Sequence, residues 1–306
     1  MAWQEVKRKE NKMEKAKVYF TKEITEEKLI QTYDVLEKKL TGKVAVKLST
    51  GEPGGHHYLN PNLIKGLVQK LDGTIVECNT AYKGKRFTTE DHLQAAKDHG
   101  FSDIALVDIM DKDGEISLPV RDGKHLKENF VGKNLENYDS ILILSHFKGH
   151  AMGGYGGALK NMSIGIASST GKAWIHTAGK TNNVDELWNH LPPQDDFLES
   201  MAEADKSVMD YMNNKIVYIN VMNFLSVDCD CNNNPEDPCM RDIGILSSTD
   251  PVALDKACLD LVYQSKDIGR DHFVKRVERQ HGTYIVDYAE QIGIGTKDYE
   301  LIILDK

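Results

Sequence analysis

Short apolar runs alternate along the chain with amphipathic stretches, and this alternation sets the expected fold. KVAVKLS, TIVEC, DIALVD, SILILSH, KIVYINVM and ELIILD read as strands, as does VYF near residue 18. Between them, TEEKLIQTYDVLEKKL spaces Leu29, Ile30, Tyr33, Leu36 and Leu40 at helical intervals, and helical patterns also cover 62–71, 89–99 and 197–212. Strand alternating with helix predicts an α/β protein, Rossmann-like, with largely parallel or mixed sheets and flanking helices. Residues 1–306 read as a single α/β module, with 180–197 as the joint if the module divides into two lobes.

Two helix starts are marked by their chemistry. Thr88 followed by Asp91 has the form of a capping box, with Gly100 as the stop. Asp250 followed by Pro251 pairs an N-cap residue with a natural first helical residue. His92 and His99, on the polar side of the first of these helices, read as surface residues.

Composition narrows the function classes only modestly. Asp+Glu 47 against Lys+Arg 38 gives a net charge of −9, so no general attraction to nucleic acid or anionic membrane is expected. The charged start MAWQEVKRKENKMEKAKVYF lacks the apolar centre of a secretory signal, and no run is long enough for a membrane span, which suggests a cytoplasmic protein. Three of the five cysteines, Cys229, Cys231 and Cys239, crowd into CDCNNNPEDPC, which points to metal chemistry more than to a disulfide framework.

The strand SILILSH runs into a segment dense in proton-active groups. His146, Lys148, His150 and Lys160 fall there together with Gly153, Gly154, Gly156 and Gly157, and His176 follows. Residues just beyond a strand's carboxyl end lie where α/β folds place ligands; glycines allow close backbone approach, and a following helix offers free N–H groups to an anion. His146 and His150 are four apart, but H-E-x-x-H, G-x-G-x-x-G and P-loop spacings are all absent. The same glycines also suit a plain tight turn.

These motifs carry two resemblances. KVAVKLSTGEPG, AYKGKRFTTEDHLQAAKDHGF, SHFKGHAMGGYGGALKN, VDCDC and DIGILSSTDPVALDKACLDL together resemble an uncharacterised family of cytoplasmic iron–sulfur-centre proteins. Many of that family carry a ferredoxin-like insert with two four-cysteine motifs, where this chain has only the cysteine-free GKTNNVDELWNHLPPQDDF. More distantly, His150, GYGGALK, Lys160 and His176 are similar in spacing to the nickel-pincer lactate racemase family. That resemblance implies His150 as general base, Lys160 as cofactor anchor and His176 as nickel ligand, with Lys85 where the partner catalytic histidine would stand.

The expected function is a metal- or iron–sulfur-binding protein, redox-related or a metal-dependent enzyme. Its cofactor would be an iron–sulfur cluster or a single Fe, Zn or Ni, with Cys229, Cys231, Cys239, His176 and His146 as candidate ligands. The alternatives are a pincer-cofactor racemase or epimerase of a 2-hydroxy acid or similar carboxylate, with His150, Lys160 and Lys85 at its centre, and a non-catalytic metal-binding scaffold. A small-molecule substrate and a redox partner are the expected partners.

Overall fold

The computed structural model describes residues 15–305; the charged segment 1–14 discussed above lies outside the described residues. In chain order the first half comprises β1 (Ala16–Thr21), α1 (Glu26–Asp34), β2 (Val44–Lys47), α2 (Pro61–Lys70), β3 (Thr74–Glu77), α3 (Thr89–Asp98), β4 (Val107–Ile109), β5 (Glu115–Pro119), β6 (Glu128–Gly132) and β7 (Ser140–His146). The second half comprises β8 (Lys148–His150), β9 (Gly154–Gly156), α4 (Ala158–Ile166), α5 (Ser169–His176), α6 (Gln194–Tyr211), β10 (Ile216–Met222), β11 (Gly244–Ser248), α7 (Pro251–Gln264), α8 (Arg270–Arg279), α9 (Tyr284–Gln291) and β12 (Tyr299–Ile303).

Eight strands form one sheet in the order β12-β1-β11-β10-β7-β2-β3-β4. Only β11 runs against its neighbours. The strands read as unbroken apolar runs because both faces are covered. On β7, Leu142 and Leu144 pack with Leu29, Ile64 and Leu67 beneath α1 to α3, while Ile141 and Ile143 pack with Leu159, Met162, Leu198 and Leu254 from α4, α6 and α7. The α/β architecture with a mostly parallel central sheet is therefore as the alternation predicts.

Local chemistry fixes several helix ends. Thr88 Oγ1 accepts from Asp91 N and donates to the Asp91 carboxylate, and Gly100 then turns the chain with φ 84°. Asp250 accepts from Ala253 N ahead of Pro251. The helix expected to reach Leu40 ends at Asp34, where Lys39 Nζ donates to the carbonyls of Tyr33 and Asp34. DIALVD also forms its strand late, from Val107, because 101–103 make a 3-10 turn after Gly100. His92 is a correction, since it is wholly buried rather than on the surface.

Strand order reverses direction between β2 and β7: β3 and β4 continue on one side, β10 on the other. That reversal opens a crevice at the strands' carboxyl ends. The segments that leave β2, β3, β7 and β10 there all contribute to a single cavity. Among the described residues, no helix is long and apolar enough to cross a membrane.

Candidate functional site

A cavity of about 620 Å³ occupies this crevice. Lys47 closes β2, Glu77 closes β3, and the loops after them bring Glu52, Tyr82 and Arg86; from β7 onward come His146 and His150, from α4 Lys160, from α5 Lys172 and His176, and from the loop after β10 the turn Cys229–Asp230–Cys231. Leu187 and Trp188, within the segment 180–197, line the cavity as well.

The floor is a network of buried charge. Arg86 Nε donates to Glu52 at 2.8 Å and its Nη1 to Glu77 at 3.5 Å. Lys47 Nζ lies 3.8 Å from Glu77 and donates to Leu48 O and Asn161 Oδ1. Burial works against a charged Glu77, but Lys47, His92 and Arg86 outweigh it and hold this carboxylate well below its usual range. Lys172 donates to the carbonyls of Ala167 and Cys78. Burial brings Lys47 down to about 8, and burial with Lys47 and Arg86 nearby does the same to Lys160.

Charge does not balance here. Four cations, Lys47, Arg86, Lys160 and Lys172, face Glu52 and Glu77, because Asp230 is already taken by His146 Nδ1 at 2.9 Å and Lys148 Nζ at 2.8 Å. Those partners, against the cost of burial, hold Asp230 at about 2. The Lys160 ammonium makes no hydrogen bond or ion pair among the described residues, although the Asp230 carboxylate favours its charge. An anion entering this cavity would be the missing counter-charge.

The two inward histidines are fixed in opposite tautomers by the main chain. His150 Nδ1 accepts from Met152 N at 3.2 Å and Gly153 N at 2.8 Å, so the neutral ring carries its proton on Nε2. His176 Nδ1 donates to Lys172 O at 2.7 Å, which leaves Nε2 with a free lone pair, and its ring stacks on Phe197. Both rings stay neutral near pH 7. Burial, with Lys160 and His176 close by, drives His150 well below its usual value, and burial takes His176 to about 4. In these tautomers His150 carries an N–H and His176 a free lone pair, an arrangement that differs from the general-base role implied for His150 by the racemase resemblance.

Other expected residues move. Lys85 is exposed and lines an adjoining depression beside Thr88 and Asp91 rather than the cavity itself, while its neighbour Arg86 turns inward. His146 has both ring nitrogens engaged, with Asp230 and with Asn223 O, and is not available to a metal. Gly156 and Gly157 line the cavity, but Gly154 packs against Gly282 and Val277 with φ 79°, and Gly153 stays in the same turn. The N-terminus of α4, offered by the sequence to an anion, is already filled: Asp255 accepts from Ala158 N and Leu159 N, and a Cβ at Gly157 would sit 2.4 Å from that carboxylate.

The cysteines also differ from expectation. Cys229 and Cys231 are joined as a disulfide, and Cys239 donates to Leu225 O away from the cavity. A ring nitrogen of His150 and the sulfurs of Cys229 and Cys231 lie within 4.8 Å of one another, a three-member group that could hold a metal once the thiols are reduced. An iron–sulfur cluster wants four such donors, and the residues gathered here do not fit one. His125, Asp196 and Glu199 form another acidic cluster, yet Lys124 Nζ and Tyr284 OH already satisfy Glu199.

Sequence reasoning passed over Lys47, Glu52, Glu77, Arg86 and Lys172. A signal was present for two: Lys47 and Glu77 are charged residues at the ends of otherwise apolar strands.

Comparison with known proteins places the chain in a family. The model described as "Domain of unknown function (DUF362)" matches residues 44–260, the span that holds every cavity residue named above. The chain belongs to that family. Among curated proteins, none matches the DUF362 chain. Among solved structures, the lactate racemase apoprotein from Thermoanaerobacterium thermosaccharolyticum is similar at 12% identity and TM-score 0.48, over 80% of this chain and 56% of that one. A protein from Thermotoga maritima is similar at 13% identity and TM-score 0.42, over 87% of this chain and 58% of that one. The DUF362 chain thus spans somewhat over half the length of these two structures.

Proposed function

We propose that this protein is an enzyme acting on a small organic anion, a carboxylate or a similarly charged group, by proton transfer within the cationic cavity. The observation that carries the reading is the Lys160 ammonium, without a hydrogen bond or ion pair among the described residues, beside Lys47, Arg86 and Lys172, with the carboxylates of Glu52 and Glu77 already engaged by Arg86 and Lys47. The anion would sit against Lys160 and Arg86. His176 Nε2 is the group able to accept a proton, and His150 is placed to donate a hydrogen bond to negative charge that builds up on the substrate. Trp188 and Leu187 at the wall suit an apolar part of the substrate.

A metal-assisted form of the same reading is supported by His176. Its Nε2 lone pair, backed by an Nδ1–H bond to a carbonyl, is the arrangement in which imidazole holds a single metal ion, which would polarise the substrate. Lys160 is also free to anchor a cofactor covalently, as the sequence resemblance around GYGGALK implies. Reduced Cys229 and Cys231 would add soft donors.

The test is a set of calorimetric titrations with malonate, lactate and inorganic phosphate, repeated on Lys160→Met and Arg86→Met. At least one anion should bind the native chain, and each variant should weaken it about 10- to 100-fold, the worth of a charge-assisted hydrogen bond. If no anion binds, or if binding is indifferent to both substitutions, the proposal fails. Metal analysis of the reduced chain beside His176→Gln tests the metal-assisted form, which requires metal to be lost with the imidazole.

A further inference from the structure

The cavity contains a disulfide whose position is unlike that of a structural staple. Cys229 and Cys231 both line the cavity and are half-buried; Cys78 also lines it but is buried, Cys258 is buried in the core, and Cys239 lies outside the cavity. A bond between residues two apart closes so short a loop that it removes little chain entropy. The turn is held by other means. Asp230, between the cysteines, is fixed by His146 and Lys148, its carbonyl accepts from Glu52 N at 2.7 Å, and Tyr82 OH donates to Cys231 O at 3.0 Å. Opening the bond would leave this framework standing.

The two sulfurs are not equivalent. Cys231 N donates to Cys229 Sγ at 3.3 Å, an interaction that favours negative charge on Cys229. A ring nitrogen of His150 lies within 4.8 Å of both sulfurs, on an imidazole that carries an N–H, and the cations of the cavity favour both the approach and the release of a thiolate.

We propose that Cys229 and Cys231 form a redox-active pair, a thiol–disulfide exchange site in the cavity wall that takes a small thiol as its reductant. The attacking thiolate forms a bond to Cys231 Sγ; the Cys229–Cys231 bond breaks and its electron pair stays on Cys229 as thiolate. A second thiolate then attacks the small thiol's sulfur in the mixed disulfide, releasing the oxidised small disulfide and the Cys231 thiolate. Two electrons pass from two small thiols to the protein, and both cysteines end reduced. This inference does not rest on the anion chemistry proposed above and stands or falls separately.

The experiment equilibrates the native chain with glutathione and glutathione disulfide in graded ratios, then traps it with N-ethylmaleimide and reads the peptides by mass spectrometry. The pair should pass reversibly from bonded to doubly alkylated with a two-electron dependence on the ratio. Early samples should carry glutathione on Cys231, and Cys229→Ser should accumulate that adduct. A bond that persists in every native mixture and opens only in denaturant would make it structural and overturn the proposal. So would a pair that remains doubly alkylated in glutathione disulfide alone, while glutathione found on Cys229 in the native chain would overturn the assigned direction.

Discussion

The position of Lys160 works against stability while its side chain is charged. Its proton leaves at about 8 in the fold against 10.5 in an open chain, because burial and the neighbouring Lys47 and Arg86 oppose the charge. The folded chain therefore binds fewer protons than the unfolded chain between those values, and stability rises with pH across that window. Lys160→Met should melt higher than the native chain at pH 7, with the advantage fading as pH approaches 10; thermal unfolding at several pH values checks this. Asp205 has the opposite sign. Both its oxygens are buried without hydrogen-bond partners among the described residues, and burial together with Asp255 raises it well above 3.8. Its stabilising proton is kept at low pH and lost as pH rises, so Asp205→Asn should be neutral near pH 4 and stabilising near pH 8 in urea unfolding. At this scale the sequence was only partly legible. His150, Lys160 and His176, singled out by the density of proton-active groups and by the racemase resemblance, all line the cavity, but Lys85 and Arg86 are adjacent loop residues, and no periodicity tells which turns inward. His92 lies in a polar helix and looked exposed, yet it is buried to meet Glu77 and Asn79, strand-end residues that the helix pattern does not reveal.

Among elements, whatever depended on neighbours along the chain could be read in advance, and whatever depended on distant partners could not. The caps at Thr88 and Asp250 are local and came out as expected. The glycine-rich stretch did not: β8 and β9 pair as a hairpin before α4 begins, and the first turn of α4 is capped from α7 by Asp255, far along the chain. Asp255 also accepts from Asn220 and Tyr155, so its loss would leave several buried donors without an acceptor. Thr88→Ala, at an exposed cap, should cost about 1 kcal/mol. Asp255→Ala should cost roughly 3 kcal/mol or more, since each orphaned donor carries its own desolvation penalty. Chemical denaturation of the two variants side by side would show whether that order holds.

For the whole molecule, the sheet decides where chemistry can sit, because the reversal between β2 and β7 gathers loops that lie far apart in sequence. It also separates net charge from local charge: a chain of net −9 holds a cavity with surplus positive charge. Since these cations are largely shielded from solvent, anion affinity should fall only modestly between low and physiological salt, unlike that of an exposed basic patch. Titration across a salt series distinguishes the two. The same topology bears on how the chain is made. Among the described residues β1 pairs only with β11 and β12, so Val18 has no strand partner there until Ser248 and Leu301 have been synthesised. Until those residues have been made, the AKVYFT segment is an unpaired edge, open to capture by a chaperone or by another nascent chain.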